Sequence, residues 1–210
     1  MFSPTTAVIE AVRELEHMGA LAYENLNRGL DELINLNEAK IDKVYAVEKQ
    51  INFMNHAITD YLVRIGQMTL PIDDSKSIGA LFHVVNDIER IGDHAENLAD
   101  SAKSRIRDNI SFSEDSLREL REMSAKVNQI LEYSIDMFAH STKVHLQDIM
   151  DLENEIDLME RQFQKNHVER LTRNECSAAS GMVFSDVMSG FERVADHATN
   201  IAYALLAEVP

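Results

Sequence analysis

Two stretches of this chain, Glu89-Arg-Ile-Gly-Asp-His-Ala-Glu-Asn-Leu-Ala99 and Glu192-Arg-Val-Ala-Asp-His-Ala-Thr-Asn-Ile-Ala202, align without a gap at an offset of 103 residues and are identical at seven of eleven positions. Chance does not readily produce such a match, and a repeat of this period sets the architecture before any local feature does. A fainter match at offset 105 pairs Val44-Tyr-Ala-Val-Glu48-Lys-Gln-Ile51 with Ile149-Met-Asp-Leu-Glu153-Asn-Glu-Ile156. The chain therefore reads as two copies of one unit, residues 1–109 and 110–210.

Each unit reads as three helices. Prolines stand only at positions 4, 71 and 210 and seven glycines are scattered, so long stretches contain nothing that interrupts a helix. Ser3-Pro4 is a start signal for a first helix to about Asn35. Its apolar stripe is Ile9, Val12, Leu15, Ala22, Leu26, Leu30 and Leu33. After the break at Asn35-Leu36-Asn37, a second stripe runs through Ile41, Val44, Val47, Ile51, Met54, Ile58, Leu62 and Ile65 until Gly66 and Pro71 end it. A third helix starts within Leu70–Ser75 and reaches about Asp108, with Ile88, Ile91, Ala95, Leu98 and Ala102 towards the core. A fourth, capped by Ser113 or by Ser116 with Glu119 at capping-box spacing, ends between His140 and His145. A fifth spans about Leu146 to Leu171, and a sixth runs from Asn174–Cys176 to about Ala207. Long helices joined by short turns fold back on one another, so the predicted fold is all-α, a tandem of two antiparallel three-helix bundles.

Composition narrows the function. The chain is long enough to bury a real core, and its hydrophobic content of 45% excludes disorder. A formal net charge of −16 opposes phosphate backbones and anionic headgroups, which argues against nucleic-acid binding and direct lipid insertion and favours cations or cationic protein surfaces. The single cysteine, Cys176, has no internal disulfide partner and reads as a buried thiol in a reducing compartment. No apolar run is long enough for a membrane span and no signal segment leads the chain, so the expected location is cytoplasmic, or the cytoplasmic face of a membrane. A glycine-rich phosphate loop, a G-x-S-x-G elbow and zinc-type cysteine pairs are all missing. A ferritin-like di-iron oxidase would need Glu-x-x-His on two helices, and only Glu14/His17 fits. These absences favour a protein that is not an enzyme.

The repeated segment carries the chemistry. Glu89 and Asp93, and their copies Glu192 and Asp196, stand four residues apart, about 40° around a helix and about 6 Å along it. Asn97 and Asn200 follow after another four, so each third helix presents a Glu, Asp, Asn column about 100° from its apolar stripe. Like charges at this spacing weaken a helix and call for a compensating partner. The sequence holds six Glu-x-x-x-Asp pairs, and among them Glu153/Asp157 lies in the fifth helix with Glu48/Asn52 as its counterpart in the first copy. Two helices of each bundle could thus turn oxygen ligands towards a shared site. All-oxygen ligation suits Mg²⁺, Ca²⁺ or Mn²⁺, and carboxylate clusters also hold iron. Arg90 and Arg193, three residues before Asp93 and Asp196, could instead neutralise the acids, leaving a solvated, ion-paired surface as the alternative. His94 and His197 follow each aspartate, turned about 100° away, and read as hydrogen-bond partners behind the acids.

The doubled Glu-Arg-φ-x-Asp-His-Ala-x-Asn-φ-Ala resembles the signature helix of the PhoU family, over nearly the whole chain. Glu160-Arg-Gln-Phe163, His167, Arg170-Leu171, Cys176, Gly181, Phe184 and Asp186, with the opening Ser-Pro-Thr-Thr-Ala, look most like the PhoU-like cytoplasmic tail of bacterial sodium-dependent phosphate cotransporters. The resemblance implies a non-catalytic regulator of phosphate transport or signalling that holds multinuclear iron or zinc clusters through E/D-x-x-x-D motifs. Carried over, Glu89 and Asp93 serve one cluster and Glu192 and Asp196 the other. Asp87 occupies an acidic position before the motif that is Gly190 in the second copy, and Asn52 replaces the acid of Asp157, so unequal occupancy is expected. Implied partners are a phosphate transporter, a sensor or the membrane part of the same polypeptide, with homodimerisation a family-level expectation. The rival reading is a metal-free acidic adaptor that meets a basic partner surface.

Overall fold

The helix boundaries follow the punctuation of the sequence. In the computed structural model, which describes residues 4–69, 72–204 and 206, the elements are α1 (Pro4–Asn35), α2 (Glu38–Gly66), α3 (Ile72–Arg107), α4 (Glu114–His140), α5 (Leu146–Thr172) and α6 (Ala178–Tyr203). Leu36, Asn109, Ser141 and Asn174 adopt left-handed backbone with φ of 49–57°, each just past the end of a helix. After three of them the chain closes a six-to-one hydrogen bond: Ile110 N–H donates to Arg105 O, Thr142 to Met137 O and Glu175 to Arg170 O. The Ser113 side chain accepts from Ser116 N–H and Ser177 from Ser180 N–H, capping α4 and α6.

Three expectations change here. The Ser116–Glu119 box does not form, because Glu119 is drawn into a buried ion pair with Arg170. Helix α6 begins at Ala178 rather than at Asn174–Cys176, because Ser177 supplies the cap. Cys176 consequently sits half-buried in the turn before α6, where it was expected to be a core thiol. The cap at Ser3, the Leu70-Pro71 break and the end at Ala207 lie outside the described residues.

Helices α1, α2 and α3 pack as one antiparallel bundle and α4, α5 and α6 as the second, and the two join through α3 against α6 and α1 against α4. One apolar core runs through both. The stripe read for α2 is buried throughout except at Met54, which is partly buried against the core. In α1 the stripe holds from Leu15 onward, but Ile9 is 49% exposed and Val12 only half-buried. Ala7 and Ala11 take the inward positions instead, since small residues admit the tight approach of α1 to α3, and Met18 fills the core further along the helix. Gly29 marks that approach most sharply: a Cβ there would stand 2.8 Å from the Ala95 carbonyl oxygen.

The bundles are related by an approximate two-fold axis. Asn27 and Asn128 lie on it, each amide donating to the other's oxygen at 3.1 and 2.7 Å. The His94 and His197 rings face each other across it with centroids 6.2 Å apart. A polar pin locks α4 to α5, where Arg170 donates twice to Glu119, at 3.0 and 2.7 Å, and Asn166 adds a third hydrogen bond at 2.7 Å.

Candidate metal centre

Helices α2 and α3 bring Glu48, Asp93 and Glu96 together with one carboxylate oxygen of each within 4.8 Å of the others. Glu89 adds a fourth negative charge close enough to act on Glu48. Helix geometry explains the selection. Relative to Glu89, Asp93 lies about +40° around α3 and Glu96 about −20°, while Asn97 has drifted to about +80°. Asn97 is accordingly exposed and lines a separate cleft beside α6. Glu96 belongs to the centre, and its Glu96/Asp100 pairing was visible in the sequence without pointing to this site.

Glu48 is the unusual member. It is 2% exposed, and among the described residues no hydrogen bond of good geometry reaches either carboxylate oxygen, Asn52 one turn further along α2 alone lying near enough to favour the charged form. Gly92 makes this burial possible, because a Cβ there would meet Glu48 Oε2 at 2.7 Å. Burial, followed by the charges of Asp93, Glu96 and Glu89, pushes the Glu48 carboxyl up to about 7. Burial and Asp93 raise Glu89 as well. Arg90 offsets part of the charge through a 2.9 Å ion pair with Asp93.

The second bundle gathers acids on α5 and α6 more loosely: their charges act on one another, but among the described residues only Glu48, Asp93 and Glu96 bring three carboxylate oxygens within 4.8 Å. Glu153 is raised by burial and by Asp196 and Asp157, and Glu192 by burial, Asp196, Asp157 and Glu160. Asp196 is raised by burial and by Asp157. The two clusters distribute their acids differently. Where α3 carries Glu96, α6 carries Thr199, and where α2 carries Asn52, α5 carries Asp157. Four carboxylates thus stand at related places in each bundle, with one moved from the third helix to the second, and Glu160 adds a fifth to the second set. Gly92 is replaced by Ala195, whose methyl group fills the space that admits Glu48, and Glu153 is correspondingly less buried. Asp157 is held by Arg161 at 3.4 Å, while no ion pair joins Arg193 to Asp196 among the described residues.

The residues predicted behind the acids take unexpected places. Asp87 lies outside the first cluster and crosses to the second bundle, where its Oδ1 accepts from His197 Nδ1 at 2.8 Å and from Asn200 Nδ2 at 3.4 Å. His94 has no counterpart to this bond, since Gly190 stands where the matching carboxylate would be. Burial, with His197 and Arg193 nearby, drives His94 down to about 4, so it is a neutral imidazole. Asn200 lies at the inter-bundle contact, outside the second acid cluster.

The repeated three-helix unit, with one acid cluster between the second and third helices of each copy, defines a tandem-bundle protein with paired carboxylate centres. The chain belongs to the PhoU family, whose PhoU domain model matches residues 8–102 and 120–205. It is 26% identical over 189 residues to the phosphate-specific transport system accessory protein PhoU homolog 1 of Thermotoga maritima, covering 90% of this chain and 81% of that protein. The crystal structure of PhoU from Pseudomonas aeruginosa shares the fold, with a TM-score of 0.87 at 24% identity and 95% of both chains covered. YjbB of Escherichia coli strain K12, named as a candidate inorganic phosphate exporter, is 21% identical over 208 residues, which are 98% of this chain and 38% of that protein. Among the described residues, no helix is long and apolar enough to cross a membrane.

Proposed function

We propose that this chain is a regulator of phosphate transport of the PhoU type, acting through protein contacts rather than catalysis, and that a metal held by its acid clusters fixes the shape its partner reads. The phosphate-transport part rests on the family and on relatives named as accessory proteins of phosphate-specific transport systems. The metal part rests on Glu48. A buried carboxylate with two unpartnered oxygens, beside three more acids, is costly to keep ionised unless a cation neutralises it. The donor set is all oxygen, which suits iron or another oxygen-seeking cation better than zinc. Four carboxylates offer enough oxygens for more than one ion.

Neutralising each cluster removes the repulsion between its second and third helices, so metal loading would stiffen both bundles at once. The partner is a phosphate transporter or a sensor at the cytoplasmic face of the membrane. The similarity to one segment of YjbB supports a further arrangement, in which a unit of this kind docks on the membrane part of its own polypeptide. Phosphate uptake in cells deleted for this chain tests the reading. Wild-type protein is expected to restore the response of uptake to external phosphate, and Glu48→Gln with Glu153→Gln to fail while accumulating normally. Full restoration by that variant would remove metal from the mechanism.

The metal-free adaptor draws support from one observation, the Arg90–Asp93 ion pair inside the first cluster. It predicts partner binding that weakens with salt and ignores chelators.

A further inference from the structure

The approximate two-fold axis makes the bond between Asp87 and His197 informative about a place where no such bond exists. On one side of the axis the Asp87 carboxylate accepts from His197 and Asn200. The equivalent residues on the other side are Gly190, His94 and Asn97. A Cβ at Gly190 would lie 3.5 Å from His94 Nδ1, an ordinary contact distance, so the backbone occupies the equivalent position and only the carboxylate is missing. In its place is a cleft of about 440 Å³ between α3 and α6, lined by His94, Asn97, Ser101, Asp186, Ser189 and Arg193 among others. Among the described residues, His94, Asn97 and Arg193 make no hydrogen bond or ion pair, although the two-fold mates of all three are engaged. Three donors of complementary chemistry therefore converge on the space that a carboxylate fills in the other half of the molecule.

We propose that this cleft binds a small molecule through an oxyanion group, carboxylate or phosphate, which takes the place of the side chain that Gly190 lacks. His94 and Asn97 would donate to the oxyanion as His197 and Asn200 donate to Asp87, and Arg193 would supply the countercharge. The same two helices also bring acids to the cleft, Asp100 from α3 and Asp186 from α6. Asp100 already accepts from the Tyr45 hydroxyl at 2.6 Å, whereas Asp186 has no hydrogen bond or ion pair among the described residues and could accept from the ligand. A ligand bearing a donor as well as an oxyanion, as hydrogen phosphate does, suits both sets of groups. Because the cleft lies at the join between the bundles, occupancy would tie α3 to α6. The inference rests on the cleft alone and stands whether or not the acid clusters hold metal.

The test is isothermal titration of the full chain as purified, with inorganic phosphate in one arm and acetate in the other. Saturable one-site binding is expected in at least one arm. Phosphate alone would identify a ligand that also donates to Asp186, and acetate alone a carboxylate ligand. Gly190→Asp tethers a carboxylate in the cleft and is expected to weaken binding tenfold or more, and Arg193→Gln, kept as a second variant in case the first does not fold, to weaken it by about tenfold. Glu153→Gln in the second acid cluster should leave binding unchanged. Heat in neither arm would overturn the proposal. So would phosphate binding that survives Gly190→Asp but is lost in Glu153→Gln, because the anion would then sit on a metal.

Discussion

Gly92 of α3 lies so close to Glu48 of α2 that a Cβ on the glycine would stand 2.7 Å from Glu48 Oε2. The glycine is therefore what lets a carboxylate sink into the α2–α3 interface, and Ala195 at the equivalent position keeps Glu153 nearer the surface. Gly92→Ala is expected to lower metal affinity at the first centre by tenfold or more with little net change in stability, because alanine's helix preference of about 1 kcal/mol is set against its tight contacts with buried Ile51, at 3.2 and 3.3 Å. Calorimetric metal titration beside a thermal melt checks this. A fall in Tm with unaltered metal binding would make the close approach purely structural.

The metal-free protein should become less stable as pH rises. Glu48 titrates at about 7 in the folded chain against an ordinary 4.5, so the folded state binds the extra proton between those values. Its contribution is fully present below about 4.5 and is lost as pH rises through about 7, a change of about 3 kcal/mol for this group. Glu89, Glu153, Glu192 and Asp196 are shifted upward too and act in the same direction. Thermal melts of chelator-treated protein should show Tm falling between about pH 4.5 and about pH 7, with Glu48→Gln flattening the fall. Metal-loaded protein should not follow this trend, because the cation removes the repulsion. A flat profile in the chelated wild type would contradict the repulsion assigned to Glu48.

The helix count and the two-copy plan were legible because breaks such as Asn35-Leu36-Asn37 and Asn109–Ser113 interrupt otherwise regular stripes, and because a motif repeated in register has few explanations. The phase of α1 is not legible at its start, where Ile9 and Val12 outweigh Ala7 and Ala11 as apolar signals although the alanines are the buried residues. Alanine is a weak apolar signal, but tight helix packing selects it. Glu89, Asp93 and Glu48 could be placed from spacing alone. Glu96 could not be preferred to Asn97 without the drift of α3 towards α2. The Asp87–His197 bond was out of reach, since it joins residues 110 apart across an axis that no local pattern encodes.

The Glu119–Arg170 pair tests the second bundle. Side chains only 4% and 8% exposed hold complementary charges, with Asn166 completing the set. Arg170→Ala leaves a buried carboxylate uncompensated and should cost about 3–5 kcal/mol, whereas Glu119→Leu with Arg170→Met should cost far less. Urea denaturation of the single and double variants measures the difference. Equal losses in both would mean that packing, not charge, dominates there.

Gly29→Ala should destabilise the first bundle by about 1–3 kcal/mol, because its Cβ would press on the Ala95 carbonyl oxygen and on Leu98 Cβ, at 2.8 and 3.0 Å. Unlike the Glu48 side chain, the α3 backbone cannot swing aside. Urea denaturation reads this directly, and a neutral result would mean that α1 and α3 slide apart at little cost.

The most direct test is the metal content of protein purified without an affinity-metal column, then stripped and reloaded with iron, manganese or zinc. Wild type, Glu48→Ala with Asp93→Ala, and Glu153→Ala with Asp196→Ala would be compared by elemental analysis. Metal is expected at both centres in the wild type, with loss of one complement in each double variant and helix content unchanged throughout. Wild-type protein that retains no stoichiometric metal after reloading would contradict this and leave the acid clusters as surfaces for a basic partner.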